Sequence, residues 1–222
     1  ILEDWAHNVS FDPAEIEKER NVVMEEWRLR RGAGARITDK MLPILLQGSR
    51  YADRIPIGKT EIIQGFKPDR LKKFYTDWYR PDLMAVIAVG DFDKATIEGM
   101  IKSHFGGLVR APNARPGPTP DVPGNVVPLV AIATDKEAPG SSVEVLFKLP
   151  HQDVKTVGDY RRSLIAQIYT GMLNARLGEI AQKPDAPFLG AGSGMGSFLA
   201  RTIDVFQLGA SVKDGGAAIM GT

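Results

Sequence analysis

Apolar and polar positions alternate with a helical period over the first third of the chain. Phe11 to Arg28 reads Phe-Asp-Pro-Ala-Glu-Ile-Glu-Lys-Glu-Arg-Asn-Val-Val-Met-Glu-Glu-Trp-Arg. At about 100° per residue, Ile16, Val23 and Trp27 fall on one stripe, with Val22 and Leu29 further round the same side. Asp12 is placed to cap this helix, with Pro13 at its first position. Glu15 suits a capping box, and Phe11 with Ile16 suits a hydrophobic staple. Gly32 is expected to close the helix in a left-handed conformation. Arg36 to Gln47 reads as a second helix that Pro43 should break or kink, and Lys59 to Gln64 as a short helical turn. Pro68 opens a helix on which Leu71, Phe74, Tyr75 and Trp78 share a core face, and Arg80-Pro81 ends it. Lys94 to Phe105 is a further helix, terminated by Gly106-Gly107.

Leu83 to Val89 is apolar on both faces and predicts a strand buried within a sheet. Leu129 to Thr134 and Ser142 to Leu149 read as two strands joined by a turn at Asp135 to Gly140. In the second, Val143, Val145, Phe147 and Leu149 alternate with polar positions, which predicts one wetter face. Asp159 to Ala181 is a long helix with Leu164, Ile168, Met172, Leu173 and Leu177 on its buried side, and Phe198 to Val212 reads as strand, turn and strand. Between the halves, Arg110 to Pro128 is rich in proline, which excludes a helix or a central strand and predicts an extended connector. The expected class is α+β, in two units, each a mainly antiparallel sheet backed by helices. Residues 1–109 form the first, 110–128 the linker and 129–222 the second.

Composition narrows the function. The 222 residues carry a net charge of +1, with 43% hydrophobic and 25% charged residues, which gives no electrostatic reason for a nucleic-acid partner. The longest clean apolar run, Leu83 to Val89, is too short to span a bilayer. With no cysteine, disulfides and thiolate zinc sites are excluded, and the compartment is unreadable from the residues.

Candidate chemistry lies on the first long helix. Glu19 and Glu26 fall between its two apolar groups, seven residues apart, which is about two turns or roughly 10 Å. Carboxylates on a core-facing side are costly unless a cation or donor meets them. Spacing leaves two readings: a structural ion-pair network with Arg20, Arg30 or another arginine, or a metal ligand with a supporting carboxylate. Other motifs fail. Gly190 to Gly196 does not fit G-x-G-x-x-G and reads as a flexible loop or a glycine-weakened edge strand. His104 and His151 have no ligand-spaced partner and read as surface residues. Arg28, Arg30, Arg31 and Arg36, with Glu25 and Glu26 beside them, read as a salt-bridged helix end.

Glu19-Arg20-Asn21-Val22-Val23-Met24-Glu25-Glu26 resembles the downstream glutamate motif of the pitrilysin/insulinase family of zinc metallopeptidases, enzymes with an inverted His-x-x-Glu-His motif. Tyr51, Ile55-Pro56-Ile57-Gly58, Glu61-Ile62-Ile63, Phe74-Tyr75, Trp78-Tyr79-Arg80-Pro81 and Leu83 to Phe92 follow in the family's order, so the resemblance covers about half of the chain. It implies Glu26 as the third zinc ligand and Glu19 as a supporting acidic residue. It also implies an unfolded peptide substrate clamped between domain halves, and it is the sole pointer to a periplasmic setting. The chain has only His7, His104 and His151 and no His-x-x-Glu-His in either direction, so two ligands and the general base are absent from it. The expectation is an internal piece of a longer enzyme, with the histidine motif before Ile1 and further domains in the same polypeptide. Residues 1–109 would then be the later part of the catalytic domain, and 129–222 the start of a non-catalytic one. The alternatives are a non-catalytic or substrate-holding homologue on the same fold, and an unrelated α+β binding module.

Overall fold

A computed structural model describes residues 1–110 and 112–213. The chain folds as α+β in two compact units that interleave in sequence. One comprises Ile1–Leu29 with Ile57–Pro118, the other Arg30–Pro56 with the residues from Thr119 on. This division differs from the one the composition predicts, because residues 30–56 pack with the residues beyond the proline-rich segment.

The first unit is helical. It holds α1 (Leu2–His7), α2 (Pro13–Leu29), α4 (Thr60–Gly65), α5 (Pro68–Trp78) and α6 (Lys94–Phe105). Start signals account for these helices. Asp12 accepts a hydrogen bond from the Ala14 amide at 2.8 Å, and Asp93 caps α6 through the Thr96 amide at 2.8 Å. Glu15 is not seen to close the expected capping box; its carboxylate pairs with Lys18 at 2.5 Å. Phe11 adopts a left-handed φ of 54° just before the cap, its ring edge-on to Tyr75 at 5.1 Å. Tyr75 also stacks on Tyr79 at 4.6 Å and donates its hydroxyl to the Trp5 carbonyl at 2.8 Å. Leu71 and Phe74, expected in the core beside it, are exposed.

The first unit contains no sheet among the described residues, which corrects the expectation of one sheet per unit. Pro81–Leu83 forms a single 3-10 turn, and Met84 to Val89 runs on without ladder bonds, with Ile87 83% and Val89 93% exposed. Consecutive apolar residues favour an extended backbone, but a strand also needs a neighbour to pair with.

The second unit holds α3 (Ala33–Leu45), α7 (Val157–Ala181) and one antiparallel sheet. Its strands are β1 (Ser141–Pro150), β2 (Phe188–Ser197) and β3 (Ile203–Val212), in the order β1-β3-β2. Gly32 closes nothing. Its φ is −68° and it is the N-cap of α3, α2 having ended at Leu29. Pro43 is accommodated inside the last turn of α3, where the helix is about to stop. Leu129 to Thr134 forms no strand. The chain beside it is held by α3, with Arg36 forking onto Asp135 at 2.7 Å through two nitrogens and Lys40 donating to the Thr134 carbonyl at 2.8 Å. The glycine run forms edge strand β2, braced by Asn174 of α7, which exchanges hydrogen bonds with the Ser193 amide (2.6 Å) and carbonyl (3.0 Å).

Thr156 and Asp159 form a reciprocal capping box at the start of α7. Its inward stripe runs Ala166, Thr170, Leu173, Leu177, Ile180, while the expected Ile168 and Met172 are exposed. Leu173 and Leu177 lie on it as expected, whereas Ala166 and Thr170 are small and a pattern based on hydrophobicity alone misses them. The core forms two clusters: Leu46, Val122, Ala200 and Ile203 in one, Phe188, Ala210 and Val212 against Leu177 and Ile180 in the other.

Ile203→Ala, in the buried start of the central strand, is expected to lower the unfolding free energy by about 2–5 kcal/mol in urea titrations. Val145→Ala, on the half-exposed edge strand β1, should cost no more than about 1 kcal/mol. Equal losses would place the core elsewhere.

Candidate functional site

Helix α2 turns Ile16, Arg20, Val23 and Trp27 inward. The apolar stripe predicted from spacing is therefore in place, but its second half is not. Val22 is 57% and Leu29 84% exposed, and Glu19 and Glu26 are exposed with them. The two carboxylates carry no burial penalty, which removes the argument that they must be neutralised to exist there. They lie along one outward line of the helix, two turns apart.

The residue that does need partners is Arg20, whose side chain is 9% exposed. Its Nη1 donates to the Ile63 carbonyl, and its Nη2 to the Phe66 carbonyl at 3.0 Å. Glu17 receives Nε at 2.9 Å and Nη2 at 2.8 Å, and the guanidinium lies 4.1 Å from the centre of the Phe66 ring. The Arg20 hydrogen bonds hold the Glu17 carboxyl below its ordinary pKa, and Glu17 raises that of Arg20. Sequence reasoning considered Arg20 only as a counterion for the glutamates. Its position, four residues after Ile16 and three before Val23, was the available signal for an inward role. Glu25 is exposed and pairs with Arg28 at 3.3 Å.

The other arginines of the basic cluster are ion-paired as well, Arg31 with Asp39 and Arg36 with Asp135 and Glu137. The histidines stand apart from α2's carboxylates in their contacts. His7 and His104 flank Glu3, at 3.5 and 2.6 Å. His151 Nδ1 lies 3.0 Å from Asp204 and its Nε2 3.4 Å from Asp153, which also pairs with Lys155. Among the described residues no group of three or more His, Asp or Glu side chains is arranged to hold a metal ion. An exposed carboxylate on a capped helix is an ordinary oxygen donor for zinc, so Glu26 fits one corner of such a site. The remaining donors are not gathered here.

The fold defines the class, an α+β chain with one helix-backed antiparallel sheet and with Glu19 and Glu26 exposed on one helix. A profile for the peptidase M16 inactive domain matches residues 65–184, running unbroken across the proline-rich segment and leaving α2 outside it. The chain is 36% identical over 189 residues to a zinc protease PQQL-like protein of Arabidopsis thaliana, covering 85% of this chain and 20% of that one. It superposes on the periplasmic protease PqqL from Escherichia coli with a TM-score of 0.77 at 25% identity, covering 96% of this chain and 23% of that structure. Pitrilysin follows with a TM-score of 0.66 at 20% identity, covering 99% and 24%. The chain belongs to the M16 peptidase family, the pitrilysin/insulinase metallopeptidases. It spans about a fifth of the length of these relatives. No described helix is long and apolar enough to cross a membrane.

The His151 contacts set a pH dependence. The hydrogen bond to Asp204 raises His151 above the ordinary value of about 6.5. Burial pushes Asp204 up, but His151 and the Gln152 amide (2.9 Å) bring it below the ordinary carboxylate value of about 3.9. The His151 contribution is complete below about pH 6.5 and is lost as pH rises through its raised folded value. The Asp204 contribution is present above about pH 3.9 and is lost as pH falls through its lowered one. The tie between the β1–α7 loop and β3 is therefore firmest between the two. Asp204→Asn should move the His151 NMR titration midpoint down toward about 6.5; an unmoved midpoint would remove Asp204 as the cause.

Proposed function

We propose that the chain is part of a longer zinc metalloendopeptidase that cleaves unfolded peptides. In it Glu26 is the third zinc ligand and Glu19 the carboxylate that supports it. The observation that carries this reading is the outward line of Glu19 and Glu26 on α2, within the motif that resembles the family's glutamate motif. Both carboxylates face solvent on a capped and anchored helix, on a side that a metal can approach. Zinc, when bound, polarises the peptide carbonyl and lowers the pKa of its water. This chain's own part is narrower. Glu26 offers an oxygen donor, and Glu19 lies two turns away on the same line. The histidine ligands and the general base belong, in this reading, to the rest of the polypeptide.

The family match over residues 65–184 is to a domain described as inactive. That supports reading residues 129–222 as the start of a non-catalytic α+β domain. The catalytic contribution of residues 1–109 then rests on α2. The same description favours a second reading, a homologue on this fold that holds substrate without cleaving it.

The test is a neighbour contrast in the longer protein. Glu26→Gln keeps the shape but removes the charge, and should abolish both zinc retention and peptidase activity. Glu19→Gln should cost about 10–100-fold, as for a residue that supports a ligand. Glu25→Gln, about 100° round the helix, should leave both nearly unchanged. Equal losses for Glu25 and Glu26 would show that the register is wrong, and no loss for either would favour the substrate-holding reading. On the 222-residue chain alone, calorimetry should find weak zinc binding at most, because one carboxylate does not close a site.

A further inference from the structure

We propose that Arg20 is the positioning residue that sets the rotation of α2 about its own axis, and so aims Glu19 and Glu26. The proposal rests on the reading of Glu26 as a zinc ligand.

Arg20 lies at the centre of the inward stripe, between Ile16 and Val23, and it is held from three sides. Its two terminal nitrogens reach the carbonyls of Ile63 and Phe66 at the C-terminal end of α4, which lack helical partners of their own. A cation suits that end of a helix dipole. The Phe66 ring lies against the guanidinium at 4.1 Å, and Glu17, one turn back on α2, fixes Nε and Nη2. Four of the five donor hydrogens are thereby used, in a planar fork that tolerates little rotation. Ile16 and Val23 are apolar and hold the face inward without fixing its angle.

The leverage is large. A side chain on a helix reaches roughly 5 Å from the axis, so a rotation of about 20° carries its carboxylate by about 2 Å. Metal–ligand distances tolerate about 0.2 Å. An anchor directed inward on α2 therefore controls whether an outward carboxylate meets a metal, with no contact to it.

The experiment uses the longer zinc-binding protein loaded with cobalt(II), whose visible spectrum reports ligand geometry. Arg20→Met should fold, with native circular dichroism at the assay temperature. It should show an altered cobalt spectrum and zinc affinity reduced about 10–100-fold in chelator competition, the range for groups that orient a ligand. Arg20→Lys should recover part of the affinity, since an ammonium reaches one carbonyl but does not fork across two. A lower melting temperature with a wild-type spectrum and affinity would show a merely structural role and overturn the proposal. If Arg20→Met does not fold, the spectrum of Arg20→Lys decides: shifted supports, unshifted overturns. If Glu26→Gln keeps full zinc affinity, the ligand reading itself fails. The positioning claim is then decided by amide exchange over Val22 to Trp27 in the 222-residue chain. Faster exchange in Arg20→Met supports it and unchanged exchange overturns it.

Discussion

A guanidinium on the inward face of a helix is stable only where acceptors are already waiting for it. On α2 that constraint decides the rest. Arg20 finds two carbonyls at the end of α4 and a carboxylate on its own helix, so the face carrying Ile16, Arg20, Val23 and Trp27 is the packed one. Once that face is chosen, the helical period assigns Glu19 and Glu26 to the solvent side. The buried charge that needs satisfying is the arginine, while both glutamates are exposed.

Much of the helical framework was legible because its signals are local. Asp12 and Pro68 mark helix starts through their own backbone preferences, and the structure begins helices there. Angular phase was less legible. Val22, Leu29, Ile168 and Met172 are as apolar as their buried neighbours, yet they face outward, because tertiary contacts choose among faces that hydrophobicity ranks equally. On α2 the choice follows from an arginine, and on α7 from small residues beside glycine-rich β2. Neither raises an apolar score. The outward direction of Glu19 and Glu26 was missed for the same reason, although the spacing that makes them a pair was plain.

Strands divided along a different line. Ser141–Pro150 pairs over its full length with β3, and the glycine run is an edge strand because it pairs with the other side of β3, with Asn174 bonding the backbone of Ser193 besides. Met84 to Val89 and Leu129 to Thr134 have equally good strand composition and no ladder. Pairing is a property of two segments, and one sequence window reports only one of them. The unit boundary failed to follow the prolines for a related reason. The prolines stiffen the chain, but Arg36 and Lys40 reach across about a hundred positions to the 134–137 turn, and such long-range ion pairs leave no trace in local composition.

A site assembled from one segment announces itself as a cluster, and the described residues hold none. A site assembled from several segments leaves in each only a well-aimed donor on a rigid support. An aimed donor differs from an ordinary surface carboxylate in what fixes the backbone beneath it, not in its own contacts. Glu25 and Glu26 are both exposed and adjacent, and they cannot be ranked by burial. They differ in direction, about 100° apart around the helix, so a metal approaching one is not met by the other. Arg20, held on the two carbonyls of α4, fixes both directions at once, so only the position of the remaining ligands separates a metal-binding carboxylate from its exposed neighbour.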